Sequence, residues 1–122
     1  MKAHFILYVT DQQKAAGFYS AVLNLQRALD VPGMTEFVLN DGAVLGLMPV
    51  AGAERLLQLR VPEPGGPRAE LYLIVESPGE YHSRALASGA RELSALADRD
   101  WGHRAAYSID ADGNVIAFAE NI

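Results

Sequence analysis

The sequence predicts an α+β fold in which one βαβββ module is written twice. Three observations carry that prediction. First, residues 101–120 read WGHRAAYSID, ADGN, VIAFAE, so that two apolar runs, Ala105–Ile109 and Val115–Ala119, flank an Asp110-Ala111-Asp112-Gly113-Asn114 turn. The Asp-Gly step supplies the positive φ that short hairpin loops need, and branched and aromatic residues fill the arms. Second, Asp41–Met48 (DGAVLGLM) lines up with Asp112–Ala119 (DGNVIAFA) at an offset of 71 residues (112 − 41). Third, Ala3–Val9 (AHFILYV) matches Ala69–Val75 (AELYLIV) at an offset of 66 (69 − 3).

In chain order, Ala3–Val9 predicts a strand, with His4, Ile6 and Tyr8 on one face and Phe5, Leu7 and Val9 on the other. Both faces are largely apolar, which places the strand between two packed layers. Thr10 or Asp11 caps a helix running to Leu23, whose apolar stripe is Ala15, Phe18, Tyr19, Val22 and Leu23. Asn24 stops it. Strands follow over Leu25–Val31, Met34–Leu39 and Ala43–Met48, with turns at Pro32-Gly33 and Asn40-Asp41-Gly42. Residues 49–67 hold four of the six prolines, and the stretch has a short helix or strand around Glu54–Arg60 before a Pro-Glu-Pro-Gly-Gly-Pro loop. The domain organisation is thus module one at 1–49, a linker at 50–67 and module two at 68–122. In the second module, Ser77 or Pro78 opens a helix with Tyr81, Ala85 and Leu86 facing in, and Ser88-Gly89 ends it. Arg91–Leu96 is the next strand, residues 98–102 form a loop, and the hairpin closes the chain.

Bulk composition narrows the function classes. A chain of 122 residues with half of them hydrophobic and a fifth charged has enough material for a packed core. A net charge of −5 without a basic cluster argues against nucleic acid. The absence of cysteine removes disulfides, thiolate metal sites and Cys nucleophiles together. The N-terminal apolar run is too short for a membrane span or a signal core, so a soluble cytoplasmic protein is expected.

The order of these elements resembles the glyoxalase/bleomycin-resistance/extradiol-dioxygenase family, the vicinal oxygen chelate superfamily. The residues that carry the resemblance are a strand led by His4, then Asp11 and Phe18-Tyr19, and later Trp101-Gly102-His103-Arg104 with the Asp-Ala-Asp-Gly-Asn turn. The resemblance covers nearly the whole chain. It implies curled mixed sheets that form a cavity, commonly completed by pairing modules in a homodimer. Metal-using members carry four ligands, and the resemblance maps those positions onto His4, Gly46, Glu70 and Ala117. Histidine and glutamate bind divalent ions, whereas glycine and alanine offer no side-chain donor. Catalytic metal sites usually have at least three protein ligands. The expectation is therefore a metal-independent, cofactor-free protein similar to the drug-sequestering antibiotic-resistance members, binding a small aromatic or amphiphilic ligand. The alternative is a metal-dependent lyase or dioxygenase of the glyoxalase type.

The candidate ligand-binding residues are His4, Tyr8, Met48, Glu70, Tyr72, Trp101, Arg104 and Tyr107. His4 and Glu70 make a His–carboxylate pair if both point into one cavity; otherwise each is a polar residue at a strand end, near solvent. Trp101, the only tryptophan, either stacks on a planar ligand with Arg104 supplying charge or a hydrogen bond, or packs under its own loop. Tyr8, Tyr72, Met48 and Tyr107 suit an apolar pocket with a few polar groups and equally suit an ordinary core. Three motifs are set aside. The Asp110-x-Asp112-x-Asn114 run lacks the glycine and glutamate of a calcium loop, having Val115 and Asn121 at those places. Gly65-Gly66 has no Lys-Ser/Thr behind it, and no serine sits in a nucleophile elbow.

Overall fold

The computed structural model describes residues 1–122. Its elements run β1 (Ala3–Val9), α1 (Gln12–Leu23), β2 (Leu29–Val31), β3 (Met34–Asn40), β4 (Ala43–Pro49), α2 (Val50–Leu57), β5 (Ala69–Ile74), α3 (Pro78–Ala87), β6 (Arg91–Asp98), β7 (His103–Ile109) and β8 (Asn114–Asn121). The chain divides into two units, Met1–Glu63 and Pro64–Ile122. Each carries one four-stranded mixed sheet, ordered β1-β4-β3-β2 in the first and β5-β8-β7-β6 in the second. The α+β architecture and the duplicated module are as the sequence predicts.

The two sequence offsets reappear as strand register. In the parallel pair β1/β4, His4 lies beside Val44 and Ile6 beside Gly46. In β5/β8, Glu70 lies beside Val115 and Tyr72 beside Ala117. Glu36 of β3 faces Gly46, as Tyr107 of β7 faces Ala117. The two modules differ most in one arm. β2 has three residues and β6 has eight; that difference of five equals the difference between the offsets (71 − 66). The longer β6–β7 arm carries Trp101 at its tip.

In the first unit, the Asp11 side chain accepts from Lys14 N at 3.0 Å and starts α1, while Asn24 in the left-handed region ends it. Tyr19, Val22 and Leu23 of α1 are buried with Leu7, Val9, Phe37, Leu45 and Leu47, the residues of the sheet face that the helix covers. Each such large apolar side chain removed from water stabilises by about 1.5–3 kcal/mol. The other face presents His4, Ile6, Tyr8, Met34, Glu36, Gly46 and Met48. A polar network ties the start of α1 to the β2–β3 hairpin. In it, Asp30 accepts from Arg27 (2.9 Å), Thr35 (2.9 Å) and Gln13 (3.2 Å).

In the second unit, α3 lies on β7 and β8, with Tyr81 packed on Phe118 at 5.0 Å between ring centroids and the Arg84 guanidinium 4.3 Å from the Tyr81 ring. Ile116, Phe118, Ala106 and Ser108 make the buried floor under the helix. The β7–β8 turn is built as the sequence suggests. Gly113 has φ +85°, and the buried Asp110 carboxylate accepts from Asp112 N (2.9 Å), Asn114 N (2.8 Å) and the Asn114 amide (3.2 Å).

Several local expectations are corrected. β1 is an edge strand, because β4 alone pairs with it, and within its unit only Leu7 and Val9 of the strand are buried, both on one face. β2 begins at Leu29, since Leu25 closes the helix end by donating to Ser20 O. Phe18 is only half-buried and Ala16 takes its place in the core. In α3, His82 is buried and Leu86 is exposed, the reverse of an apolar-stripe assignment. The helix of the connecting segment starts at Val50, directly after β4. Gly42 lacks a positive φ; its N–H is taken by Asn40 Oδ1 at 2.9 Å, so the first turn closes by a side chain.

Candidate functional site

Strand alternation sorts the expected site residues by face. In the first unit, His4, Tyr8 and Met48 share the face that α1 does not cover, and Tyr8 is directly beside Met48. His4 finds a carboxylate there, but it is that of Glu36, 3.6 Å from Nδ1. The pair reaches diagonally across β4, from beside Val44 to opposite Gly46. His4 is 44% exposed at its side chain, which makes this a solvated pair of modest strength. Glu36 was not singled out by the sequence, because a glutamate in an alternating strand reads as a solvated position.

The second unit assembles a denser group on the corresponding face of its sheet. Tyr72 and Tyr107 stand on either side of Ala117, their rings 6.4 Å apart between centroids, and Glu70 lies two residues before Tyr72 on the same face. Ala117 is fully buried between them. Trp101 reaches in from the β6–β7 tip and donates its indole N–H to Tyr72 Oη at 3.0 Å. His103 stacks beside Tyr72 at 5.7 Å, with Nδ1 only 2.6 Å from the same hydroxyl. An indole N–H is a donor only, so Tyr72 Oη accepts from Trp101, while the direction of its contact with His103 Nδ1 follows the tautomer of that ring. Trp101 remains 53% exposed, so it does not pack under its loop.

Arg99 fastens the arm. Its guanidinium donates to Ser94 Oγ (2.9 Å), Ala95 O (2.8 Å) and Ala105 O (2.8 Å) and lies 5.3 Å from the Tyr107 ring centroid. Burial, followed by the neighbouring charges of Tyr72 and Glu70, holds the Tyr107 hydroxyl above the usual phenol range, while Arg99 pulls the other way. Tyr107 is thus a neutral hydroxyl at physiological pH.

Arg104 does not join this group. Alternation along β7 turns it to the helix-covered side, where it donates to Asp98 at 2.7 Å and lies 3.7 Å from Glu120. Its hydrogen bond to Asp98, then the charge of that carboxylate, keep it firmly protonated. The cation that does serve the aromatic group is Arg99, and the added member is His103. A one-residue shift of register along Trp101–Arg104 separates the expected set from the observed one. A shallow cleft of about 340 Å³ lies at the opposite end of this unit, where Gly65-Gly66 and Arg91 meet the β7–β8 turn. None of the expected residues lines it.

Two of the four positions that the resemblance assigns to metal ligands, Gly46 and Ala117, carry no side-chain donor. The space beside Gly46 is already filled. A Cβ there would stand 2.5 Å from Ile6 Cδ1 and 3.1 Å from Met34 Sδ. No group of three or more His, Cys, Asp or Glu side chains comes together anywhere in the chain.

The model of the glyoxalase/bleomycin resistance protein/dioxygenase superfamily matches residues 3–118. The chain belongs to this superfamily. Among solved structures, the chain is similar to a glyoxalase-related enzyme from Fulvimarina pelagi, at 22% identity and TM-score 0.87 over 99% of this chain and 88% of that one. A superfamily enzyme from Burkholderia phytofirmans PsJN aligns at 19% identity and TM-score 0.85, covering 98% and 97%. A superfamily protein from Nocardioides aligns at 20% identity and TM-score 0.81, covering 100% and 83%. At these identities the likeness is one of fold. No curated protein sequence matches the chain. No helix is long and apolar enough to cross a membrane.

Proposed function

We propose that this superfamily member is a metal-independent small-molecule binding protein that holds a planar aromatic ligand, in the manner of the drug-sequestering bleomycin-resistance type. The observation that carries the reading is the aromatic group of Trp101, Tyr72, His103 and Tyr107 around the small residue Ala117. Three of these rings are joined by hydrogen bonds, so the surface loses little freedom when a ligand stacks on it. Stacking on a tryptophan left half in water also buries apolar area that the folded chain leaves uncovered. The donor-free positions 46 and 117 support binding without metal, since the residues remaining at the four superfamily positions number two. The reading carries with it a homodimer, as the resemblance implies, and a cytoplasmic setting.

Titration with a panel of planar antibiotics and aromatic metabolites, followed by the fluorescence of Trp101, tests the proposal. Saturable quenching by at least one compound, lost in Trp101→Ala, is expected. A panel without any response counts against it. Metal analysis of the purified protein checks the lyase or dioxygenase alternative, in which His4 and Glu70 serve as two ligands and others are recruited from elsewhere. Stoichiometric Zn, Ni, Fe or Mn, with activity that follows metal content, would favour that alternative.

A further inference from the structure

We infer that His103 is the polar anchor of the aromatic site, and that the site selects a neutral planar ligand bearing a carbonyl oxygen at its edge. The inference rests on the proposal that this face binds an aromatic ligand, and it names the chemistry of that ligand. It follows from the hydrogens available among the three joined rings. The Trp101 N–H is spent on Tyr72 Oη, and the one protein acceptor within reach of the Tyr72 hydrogen is His103 Nδ1 at 2.6 Å, so the tautomer that pairs this hydrogen carries its own on Nε2. What remains is the Nε2–H of His103, which has no protein partner and belongs to a half-buried ring. Tyr72 fixes the tautomer as well as the ring plane, so this donor is aimed rather than free to exchange with an acceptor nitrogen. A ligand that stacks on the rings without offering an acceptor leaves that N–H stripped of water and unpaired, which costs affinity. An acceptor at the ligand edge avoids the loss. Glu70 stands on the same face and disfavours a carboxylate or phenolate, which leaves a neutral carbonyl as the fitting acceptor.

The test compares two flat bicyclic probes of similar size on the intact protein at pH 8, where imidazoles are neutral. Chromone carries a ring carbonyl and naphthalene carries no acceptor. The indole N–H resonance of the sole tryptophan reports binding of either. Wild-type protein is expected to bind chromone about tenfold more tightly than naphthalene. In His103→Phe the preference shrinks to about twofold or less while naphthalene binding persists, which shows that the stacking surface survives. In His103→Gln, which keeps an amide donor in nearly the same place, most of the preference returns. Equal binding of the two probes by the wild type, or an unchanged preference in His103→Phe, overturns the anchor role and leaves the aromatic site standing. If neither probe, nor any member of the aromatic panel, moves the Trp101 resonance, the binding proposal itself fails and the anchor role goes with it.

Discussion

Gly46 offers a sharp test of how the first sheet is packed. Replacing it with alanine adds one methyl group that must fit 2.5 Å from Ile6 Cδ1 and 3.1 Å from Met34 Sδ. Carbon atoms pack best at about 3.5–4.0 Å, so Ile6 has to withdraw by about 1 Å or change rotamer. Overpacking of this kind costs about 1–3 kcal/mol, and the low end applies because both obstructing atoms are ends of half-buried side chains. Alanine also regains about 0.5–1 kcal/mol, because the unfolded chain loses the freedom of glycine. The net expected loss is about 0.5 kcal/mol or less. Ile6→Val removes Cδ1, the nearest obstacle, at a cost of about 0.5 kcal/mol for a half-buried methyl. In the Ile6→Val background, Gly46→Ala is then expected to be neutral or slightly stabilising. The double-mutant cycle from urea unfolding, followed by circular dichroism, should show a coupling of about 1 kcal/mol. Costs that add to within about 0.3 kcal/mol would refute the steric account. The same geometry explains why a metal donor cannot simply be restored at position 46: an aspartate or glutamate there needs Ile6 trimmed first.

Asp110→Ala is expected to lower stability by about 2–3 kcal/mol, since it leaves the N–H groups of Asp112 and Asn114 without their acceptor; Asp110→Asn, which keeps one oxygen, should lose less than half as much in thermal melts. Hydrogen bonds from Arg27, then from Thr35 and Gln13, hold the Asp30 carboxyl below its usual range. Its folded pKa is depressed, so its contribution is present above the unfolded value and is lost as pH falls through the folded one. The stability gap between wild type and Asp30→Asn should therefore be full at pH 6 and close below about pH 4 in a series of acid melts. Arg104→Ala is expected to leave every Trp101-monitored titration unchanged, because its partners Asp98 and Glu120 lie on the helix side of the sheet; a weakened ligand response would contradict the facing assigned to β7.

The fold was legible because its signals are local and repeated. Asp11, Asn24, Pro78 and the Asp-Gly turn each fix one boundary by their own chemistry, and the copied segments fix which strands correspond. What failed depended on contacts made at a distance in sequence. Leu86 looks like a core residue until His82 takes the inward position with Glu92 Oε2 at 2.9 Å. Phe18 fits a helical stripe that turns slightly past it. In the candidate site, Tyr72, Tyr107 and Trp101 come together as their residue types suggest. Arg104 fell on the wrong side because a loop tip gives no clue to strand phase, and His103 and Arg99 were missed for the same reason. Once His103–Ile109 is read as strictly alternating back from Tyr107, His103 falls on the aromatic face and Arg104 on the other. Glu36 could be found only from the pairing of β3 with β4.

The unequal arms of the two modules have an evolutionary corollary. A duplicated scaffold whose copies share register almost residue for residue, yet differ by five residues in a single hairpin, confines its novelty to one surface extension. That extension is tied down by the Arg99 side chain within the arm and by the Tyr72 hydroxyl and Glu120 on the sheet beside it. Exchanging residues 94–104 between superfamily members should therefore alter ligand preference while leaving the two sheets in register.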